Sequence, residues 1–367
     1  MNNFNEIIKA KLGAFPIGAW LPYYKKDLNA DYLKGVRESG INFIPTTDCG
    51  KEELDLVLSS GLKALVNDDR VTYSNITGIN RVGEWTGEYA DKEGVIGVFV
   101  WDEPSPAMMD ICGAINKQVQ LYHENIFGYI NLHPNYSDRV SQRDGLSYED
   151  YLQYFVDHCS PKLLSFDHYP FFEDGFHARE YLDNLAAVRK CCDKNKLEFW
   201  SFIQSTSFGK NPPPTEGQMN FQVHSNIAYG AKGLLYFTYS QVVHEQGFGS
   251  ALLDKEFRRT QLYEYAKKIN AGIEKIGTRL LELKPLGVKF FGERYLDYST
   301  AEADFSLSGG NFLAGLFLEA GKRCAYLVNL DLEKGAAARL SSKRGEKEIL
   351  LSPASMPTIW STRAWAT

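Results

Sequence analysis

The chain has 367 residues, of which 44% are hydrophobic and 23% charged, and it carries a formal net charge of −6 at pH 7. This length suits one large domain with an appendage, or two domains, and the composition is typical of a globular protein. The negative charge and the lack of a Lys/Arg block argue against nucleic acid as the main partner, and no apolar run is long enough to predict a membrane span.

Apolar runs of strand length alternate along most of the chain with longer amphipathic stretches, the pattern of parallel βα units. The predicted strands are 15–21, 42–45, 62–66, 96–100, 126–130, 163–166, 198–203 and 233–239. The predicted helices are 31–39, 52–60, 107–122, 148–158, 178–192, 216–231 and 255–283. Eight units of this kind predict an α/β protein with a (βα)8 TIM barrel over residues 1–284. An open doubly wound sheet would normally carry a Gly-rich phosphate turn, and the sequence shows none.

A different pattern begins after Pro285. Short alternating runs such as 312–317 and 325–329 are separated by turns rich in Gly, Ser, Asp and Lys. Because this alternation is typical of antiparallel strands, we expect residues 285–367 to form a small β-sandwich packed on the barrel.

The amino-terminal residues concern the cellular location of the protein, and the cysteines concern its redox state. The stretch from Met1 to Phe4 shows no basic region followed by an apolar one, so the sequence predicts no signal peptide in this chain. The sequence leaves the location open, since it is periplasmic or extracellular if a signal was removed and otherwise cytoplasmic. The six cysteines form no Cys-x-x-Cys pair and no zinc spacing, so we expect them to be reduced.

The fourth predicted strand ends abruptly in Trp101-Asp102-Glu103-Pro104. Proline removes a backbone donor and restricts the residue before it, so the strand must stop there. A carboxyl group at the mouth of a buried strand is costly unless something uses it, and partial burial raises a carboxyl pKa toward the range of a general acid. Helix capping explains Ser105, but it does not explain Trp101 and Glu103.

Function in a barrel lies at the carboxyl ends of the strands. The predicted strands end in carboxylate, amide, imidazole, hydroxyl and aromatic side chains, which are Trp20, Asn67, Asp68, Trp101, Asp102, Glu103, Asn131, His133, Asp167, His168, Tyr169, Gln204, Ser205, Tyr239 and Ser240. This set has no Lys placed for a Schiff base, no phosphate loop and no Cys nucleophile. It is typical of a site for a neutral, hydroxyl-rich ligand.

Some of these positions also have a purely structural explanation. Asn67 and Asp68 fit a turn with a helix cap, the commoner role of such a sequence. His133 precedes a proline and fits a loop, and capping explains Asp167 and His168 as well as ligand binding does. The acidic strand ends and His168 match no compact metal-ligand motif, so we expect neither a metal nor a cofactor.

Three segments resemble a known group of enzymes. They are 97–104 (GVFVWDEP), 164–171 (LSFDHYPF) and 226–239 (NIAYGAKGLLYFTY). They are similar to the clan-A glycoside hydrolase barrels, in particular the β-galactosidase-like enzymes of family 42 and their uncharacterised relatives from gut bacteria. The likeness spans nearly the whole chain and implies a carbohydrate substrate. It also implies that Glu103 is the acid/base that protonates the glycosidic oxygen.

The chain departs from the family pattern at two positions. The residue before the acid/base is usually Asn and here is Asp102. The nucleophile is expected as a Glu at the end of strand seven, which here ends in Gln204, while Glu198 begins that strand at the wrong end of the barrel. An amide cannot form the glycosyl-enzyme ester, so the retaining scheme with two carboxylates cannot be carried over unchanged.

Three explanations of the missing nucleophile stay open. A carboxylate elsewhere on the rim, Asp167 first and Glu245 second, acts as base or nucleophile. Alternatively, Asp102 and Glu103 work as in substrate-assisted hexosaminidases, where one acid orients the substrate's acetamido group and the other protonates the leaving oxygen. In the third, the barrel binds carbohydrate without cleaving it.

These considerations predict a glycoside hydrolase for a neutral glycan or β-glycoside, with Glu103 as general acid and Asp102 and Asp167 as further catalytic carboxyl groups. The expected substrate-binding residues are Trp20, Asn67, Asp68, Trp101, Asn131, His168, Tyr169, Gln204, Tyr239 and Glu245.

Overall fold

The computed structural model describes residues 4–22, 27–72, 75–343, 345–353 and 358–361. Residues 1–3 and 362–367, which the predicted domain bounds include, lie outside this range. Within it, no helix combines the length and the apolar character needed to cross a membrane.

Eight parallel strands close into a barrel, which confirms the predicted (βα)8 fold. The first ten strands are β1 (Ile17–Ala19), β2 (Phe43–Pro45), β3 (Lys63–Asn67), β4 (Val95–Asp102), β5 (Phe127–Leu132), β6 (Leu163–Phe166), β7 (Phe171–Phe172), β8 (Gly175–Phe176), β9 (Glu198–Gln204) and β10 (Leu234–Phe237). Strands β7 and β8 form a separate hairpin, and the others close in the order β1-β10-β9-β6-β5-β4-β3-β2. Their continuous apolar runs arise because helices cover the outer face of the barrel while side chains fill its inside.

Helices follow the strands around the barrel. They are α1 (Phe4–Lys11), α2 (Ala30–Glu38), α3 (Lys51–Ser59), α4 (Val82–Gly87), α5 (Pro106–Tyr122), α6 (Tyr148–Cys159), α7 (Ala178–Asn195), α8 (Glu216–Ala228), α9 (Gln261–Glu274) and α10 (Gly277–Glu282). Six of them, α2, α3 and α5 to α8, lie where the sequence predicts a helix. Helices α1 and α4 are short and were not predicted.

The predicted helix 255–283 is wrong as a single element. The chain before α9 forms a turn in which Asp254 Oδ1 accepts the backbone N–H groups of Glu256 and Arg258, and the side chain of Thr260 then caps α9. The helix breaks before Gly277, where a Cβ atom would lie only 2.8 Å from Cβ of Phe15. Close packing against the barrel therefore replaces one long helix by two shorter ones.

The amino end of the barrel is filled by aromatic rings. Trp200 lies at the centre of this layer, and its ring contacts Phe43, Phe127 and Tyr129 at centroid distances of 5.1 to 6.1 Å. Phe4 of α1 packs on Trp200 from below, at 5.7 Å. Since this end is filled, the inside of the barrel is accessible from the carboxyl ends of the strands.

The remaining strands form two antiparallel sheets, which confirms the predicted β-sandwich character. The strands are β11 (Lys284–Phe291), β12 (Phe305–Ser308), β13 (Phe312–Glu319), β14 (Lys322–Asn329), β15 (Ala336–Ser342), β16 (Gly345–Leu351) and β17 (Thr358–Ser361). One sheet has the order β11-β13-β14-β17 and the other β12-β15-β16. A separate apolar core of residues such as Phe305, Phe312, Leu327 and Leu340 lies between them.

Helix α8 holds the sandwich against the barrel. The buried ring of His224 contacts the hydroxyl of Tyr326 on β14 through Nδ1, at 2.6 Å. Gly217 on α8 lies so close to the sandwich that a Cβ atom there would be 1.8 Å from the carbonyl oxygen of Leu332. The contact is thus a tightly packed interface.

Candidate active site

The end of β4 is shaped to present Glu103. The pairing of β4 with β5 shifts register between Phe99 and Trp101, and Glu103 then adopts a left-handed backbone with φ of 51°. A non-glycine residue rarely takes this conformation, which occurs at turns and helix ends and also at functional sites. The backbone N–H of Glu103 donates to the carbonyl of Asn131 on β5 at 2.8 Å, which fixes the turn.

Asn131 connects two carboxyl groups at the centre of the site. Its side-chain nitrogen donates to Oδ1 of Asp102 at 3.2 Å and to Oδ1 of Asp167 at 3.0 Å. Its side-chain oxygen accepts a hydrogen bond from the hydroxyl of Ser165 at 3.1 Å, and that hydroxyl in turn contacts Tyr129 at 2.7 Å. This chain of hydrogen bonds fixes the orientation of the amide, so that one nitrogen binds both Asp102 and Asp167.

Glu103 completes a cluster of three carboxyl groups. Its carboxyl is in hydrogen-bond contact with that of Asp167, and its Oε1 lies 3.3 Å from Nδ1 of His133. The Glu103 side chain is 35% exposed, whereas Asp167 is only 7% exposed. Glu103 is therefore the member of the Glu103–Asp167 pair that faces the open space above the strands.

Charge and burial give the three carboxyl groups different proton affinities. Burial, together with the negative charges of Glu103 and Asp102, raises the pKa of Asp167 well above its usual value. Burial and the charge of Glu103 raise the pKa of Asp102 to about 6. Burial acts in the same direction on Glu103, but the His133 ring and the hydrogen bond from Asp167 outweigh it and lower the pKa of Glu103. The pair therefore holds one proton, mainly on Asp167.

This distribution corrects one expectation. The sequence predicts a raised pKa for Glu103 itself, whereas the raised pKa values belong to Asp102 and Asp167. The reason is the neighbourhood of Glu103, since His133 favours its ionised form and Asp167 can donate to it.

The cluster lies in an open cavity of about 670 Å³ at the carboxyl end of the barrel. The lining residues are Trp20, Pro22, Asp102, Glu103, Asn131, His133, Pro134, Tyr136, Ser137, Gln142, Asp167, Tyr169, Phe202, Phe208, Phe237, Val242, His244, Glu245 and Phe248. Seven of the residues predicted from sequence are among them, namely Trp20, Asp102, Glu103, Asn131, Asp167, Tyr169 and Glu245. In the described part of the chain, no three His, Cys, Asp or Glu side chains are arranged to hold a metal ion.

Gln204 ends β9 as predicted but does not line the cavity. Alternation along the strand puts it on the same face as Phe202, yet its amide nitrogen donates to the carbonyl oxygens of Thr206 and Pro212, at 3.1 and 2.7 Å. These bonds hold the amide fully buried beneath the loop after β9. The side chain at the expected nucleophile position thus stabilises the loop after β9.

Five other predicted binding residues also lie away from the cavity wall. The buried carboxylate of Asp68 forms a bidentate ion pair with Arg70, at 2.9 Å for both bonds, and the neighbouring Asn67 donates to a backbone carbonyl. Trp101 packs against the apolar core. Asp68 and Asn67 therefore hold the loop after β3, in agreement with their structural explanation.

The remaining two residues, His168 and Tyr239, have buried ring side chains. His168 lies between the rings of Tyr136 and Tyr181, at centroid distances of 4.8 and 5.1 Å, and burial lowers its pKa to about 3. Tyr239 packs on Tyr32 at 5.5 Å, and its own exposure is 1%. Neither side chain is placed to meet a ligand in the cavity.

The sequence prediction missed His133 as a functional residue and four phenylalanines, Phe202, Phe208, Phe237 and Phe248. His133 was interpreted as a loop residue, although its position after β5 places it beside the end of β4. Phe208 and Phe248 lie in loops after β9 and β10. The signal that would have found them is their position at the carboxyl end of the barrel, where such loops form the site.

Comparison with known proteins shows a shared fold but no match in sequence. No protein-family model matches the chain, and no curated protein matches it in sequence. A β-galactosidase from the psychrophilic Marinomonas ef1 superposes with a TM-score of 0.53 at 11% identity, over 74% of this chain and 62% of that one. A family 39 glycoside hydrolase from the gut symbiont Bacteroides cellulosilyticus WH2 gives 0.55 at 11% identity, over 95% and 79%.

An α-amylase from Geobacillus thermoleovorans has a TM-score of 0.52 at 10% identity, over 93% of this chain and 97% of that one. The chain spans only 62% and 58% of the lengths of the β-galactosidases from Marinomonas ef1 and Halorubrum lacusprofundi. These proteins share the barrel fold. At such identities the similarity concerns the fold alone.

Proposed function

We propose that this protein is a glycoside hydrolase and that the Glu103–Asp167 pair is its proton donor. The observation that carries the proposal is the cluster of three carboxyl groups, Asp102, Glu103 and Asp167, at the open end of the barrel. A glycosidase needs a carboxyl group that holds a proton at working pH and faces the scissile bond. The barrel shared with several glycoside hydrolases agrees with this function.

The pair divides the work of a general acid between two side chains. Asp167 holds the proton because it is buried beside two negative charges, and Glu103 presents an accessible carboxyl to the cavity. When the glycosidic C–O bond breaks, the shared proton passes to the leaving oxygen and the pair becomes fully ionised. His133 beside Glu103 stabilises the resulting negative charge.

The two carboxyl groups of the pair are too close to flank a glycosidic bond. A retaining enzyme separates its two carboxyl groups by about 5–5.5 Å and an inverting one by about 6.5–9.5 Å, whereas Glu103 and Asp167 are in hydrogen-bond contact. We therefore do not assign Asp167 the role of a nucleophile acting opposite Glu103. The second catalytic group must come from another wall.

Glu245 is the best candidate for that group. Apart from the cluster, it is the only carboxyl side chain among the described residues that line the cavity. It lies in the loop after β10, and β10 is four places from β4 in the ring of eight strands, so this loop is on the opposite side of the barrel from Glu103. The Glu245 side chain is 63% exposed, and its Oε1 lies 3.6 Å from Nε2 of His244. A base there would take a proton from water as the water attacks the anomeric carbon, and the product would have inverted configuration.

The cavity favours a neutral sugar. Its described lining includes no Lys or Arg, while three carboxyl groups are clustered on one side. An anionic sugar would therefore meet like charges without a cation to pair with. Asn131 and the carboxyl groups supply the acceptors and donors that hydroxyl groups need.

The proposal is tested with a panel of aryl glycosides of neutral sugars in both anomeric forms. On a substrate that the wild type cleaves, Glu103→Gln should lower kcat by about 10²- to 10⁴-fold while changing substrate binding little. The matched control is Glu149→Gln, the same change on the exposed first turn of α6, which should leave kcat unaltered. Unchanged turnover in Glu103→Gln would remove Glu103 from the mechanism.

The other two hypotheses are outcomes of the same panel. Cleavage confined to N-acetylated sugars, with retained configuration and no effect of Glu245→Gln, would indicate substrate assistance by Asp102 and Glu103. Binding of sugars without cleavage across the whole panel would indicate a carbohydrate-binding barrel. Loss of activity in Glu245→Gln with inversion is the result that we expect.

A further inference from the structure

Tyr151 on α6 lies behind the turn that presents Glu103. Its side chain is fully buried and is not among the described residues that line the cavity. Its hydroxyl donates a hydrogen bond to the carbonyl oxygen of Pro104 at 2.9 Å, and the same hydroxyl accepts one from the backbone N–H of His133 at 3.4 Å. One hydroxyl group therefore connects the residue after Glu103 with the residue whose ring lies beside the Glu103 carboxyl.

The surroundings of Tyr151 hold its hydroxyl in a fixed place. Its backbone N–H donates to the carbonyl of Ser147 at 2.9 Å, and the side chain of Ser147 caps the start of α6. Its ring stacks on that of Tyr148 at a centroid distance of 6.3 Å and lies 6.2 Å from the ring of His133. Burial raises the pKa of Tyr151 well above its usual value, so the hydroxyl keeps its proton and stays a donor.

The turn at Glu103 needs support from both sides because its backbone is left-handed, with φ of 51°. Such a conformation persists only where the surrounding structure holds it. The backbone N–H of Glu103 is held by the carbonyl of Asn131 on β5 at 2.8 Å. Pro104 has no N–H group, so its carbonyl is the backbone group through which the far side of the turn can be held. Tyr151 binds that carbonyl.

The distance between His133 and Glu103 depends on the same two backbone positions. Nδ1 of His133 lies 3.3 Å from Oε1 of Glu103, and this ring, together with Asp167, lowers the pKa of Glu103 against the effect of burial. The interaction of a ring with a carboxylate weakens as their separation grows. A displacement of the backbone at Pro104 or His133 would therefore change both the direction of the Glu103 carboxyl and its affinity for a proton.

We infer that Tyr151 is a positioning residue of the proton donor, which holds the Glu103 turn and His133 in register through one buried hydroxyl. This inference rests on the proposed function, because it concerns the group that donates the proton in the same reaction. Tyr151 contacts the backbone on both sides and reaches neither carboxyl group of the Glu103–Asp167 pair through a hydrogen bond of its hydroxyl. Its effect on the reaction therefore passes through the geometry of Glu103 and His133.

The kinetic test is Tyr151→Phe, which removes the hydroxyl and keeps the ring and its packing. On a glycoside that the wild type cleaves, kcat should fall by about 10- to 100-fold, while KM should change by less than about threefold. The matched control is Tyr263→Phe on α9, where a buried hydroxyl likewise donates to a backbone carbonyl, that of Gly35, at 2.8 Å. It should lower the urea midpoint about as much as Tyr151→Phe does and leave kcat unaltered. Unchanged kcat in Tyr151→Phe, or an equal fall in both variants, would overturn the inference.

A titration separates this inference from the proposed function, because it needs no turnover. Carbon-13 NMR of protein labelled at the glutamate carboxyls follows Glu103, whose signal is assigned by its absence in Glu103→Gln. In Tyr151→Phe the pKa of Glu103 should rise by about 0.5 or more, since His133 is no longer held against its carboxyl, whereas Tyr263→Phe should leave it unchanged. A raised pKa would support the role of Tyr151 even if no glycoside were cleaved. An equal pKa in the wild type and Tyr151→Phe would contradict that role whatever the activity.

Discussion

Replacing Asp102 by Asn should stabilise the protein at alkaline pH but not at acidic pH. Asp102 is exposed to the cavity, yet the surrounding strand ends partly desolvate its carboxyl group, and Glu103 lies beside it. Burial and the charge of Glu103 raise its pKa from 3.8 to about 6. The folded protein therefore binds a proton at Asp102 more tightly than the unfolded chain does, and stability falls as pH rises from about 4 to 6. Asparagine has the same shape and no charge, and it keeps an oxygen that can accept from Asn131.

The pKa shift of Asp102 sets the size of the expected change in the free energy of unfolding. A pKa difference of about 2.2, from 3.8 to about 6, corresponds to about 3 kcal/mol at pH values above both. Water in the open cavity screens the charge, so we expect about 1 kcal/mol to be observed. At pH 4 Asp102 is mostly protonated in the folded protein, so most of this gain should disappear.

The assay is urea unfolding of the wild type and Asp102→Asn at pH 8 and pH 4. With a slope of about 3 kcal/mol per M urea, 1 kcal/mol moves the midpoint by about 0.3 M at pH 8. The control, Asp69→Asn, makes the same change on an exposed carboxyl after β3, and we expect it to move the midpoint by less than about 0.15 M. A midpoint shift of equal size at both pH values, or a loss of stability at pH 8, would refute this account of the site's electrostatics.

Two further predictions concern helix α8 and its contact with the sandwich. Gly217→Ala should lower the free energy of unfolding by more than about 2 kcal/mol, because its Cβ would overlap the carbonyl of Leu332. Gly272→Ala on α9, where a Cβ meets no atom within 4 Å, should instead raise it by about 0.5–1 kcal/mol, and equal effects of the two changes would contradict the packing argument. Thr215→Ala should lower it by about 1 kcal/mol, since Thr215 and Gln218 form a capping box at the start of α8; thermal or urea midpoints measure all three.

The barrel could be predicted from the sequence because its strands are buried on both faces. Each predicted strand overlaps an observed one, since a run such as 96–100 must be apolar throughout to pack against helices outside and side chains inside. The prediction of one helix over 255–283 failed because contacts distant in the sequence, and not the local pattern, decide its structure. That segment is amphipathic over its whole length, but the turn at Asp254 and the close contact of Gly277 with Phe15 are tertiary features that periodicity does not record.

The site was predictable in its position and only partly in its members. Asp102, Glu103, Asn131 and Asp167 meet because they end neighbouring strands, which the βα pattern already implies. Alternation also points Gln204 into the barrel, but two backbone carbonyls capture its amide, and their positions depend on the folded loop. The pKa order within the cluster likewise depends on contacts at atomic distances that a sequence does not specify.

Phe208 and Phe248, which line the cavity, were missed for a related reason. Phe208 and Phe248 are 40 positions apart in the chain, and a backbone bridge between two loops brings them together. Sequence patterns identify loops by their turn residues, and such patterns carry no information about which loops pair.

The most direct test of the central claim is the configuration of the first product of hydrolysis. A glycoside that the wild type cleaves is followed by proton NMR, which distinguishes the two anomers before they equilibrate in water. We predict that the anomer opposite to that of the substrate forms first, because Glu245 activates water across the cavity from the Glu103–Asp167 pair. First formation of the anomer with the substrate's own configuration would contradict this arrangement of acid and base.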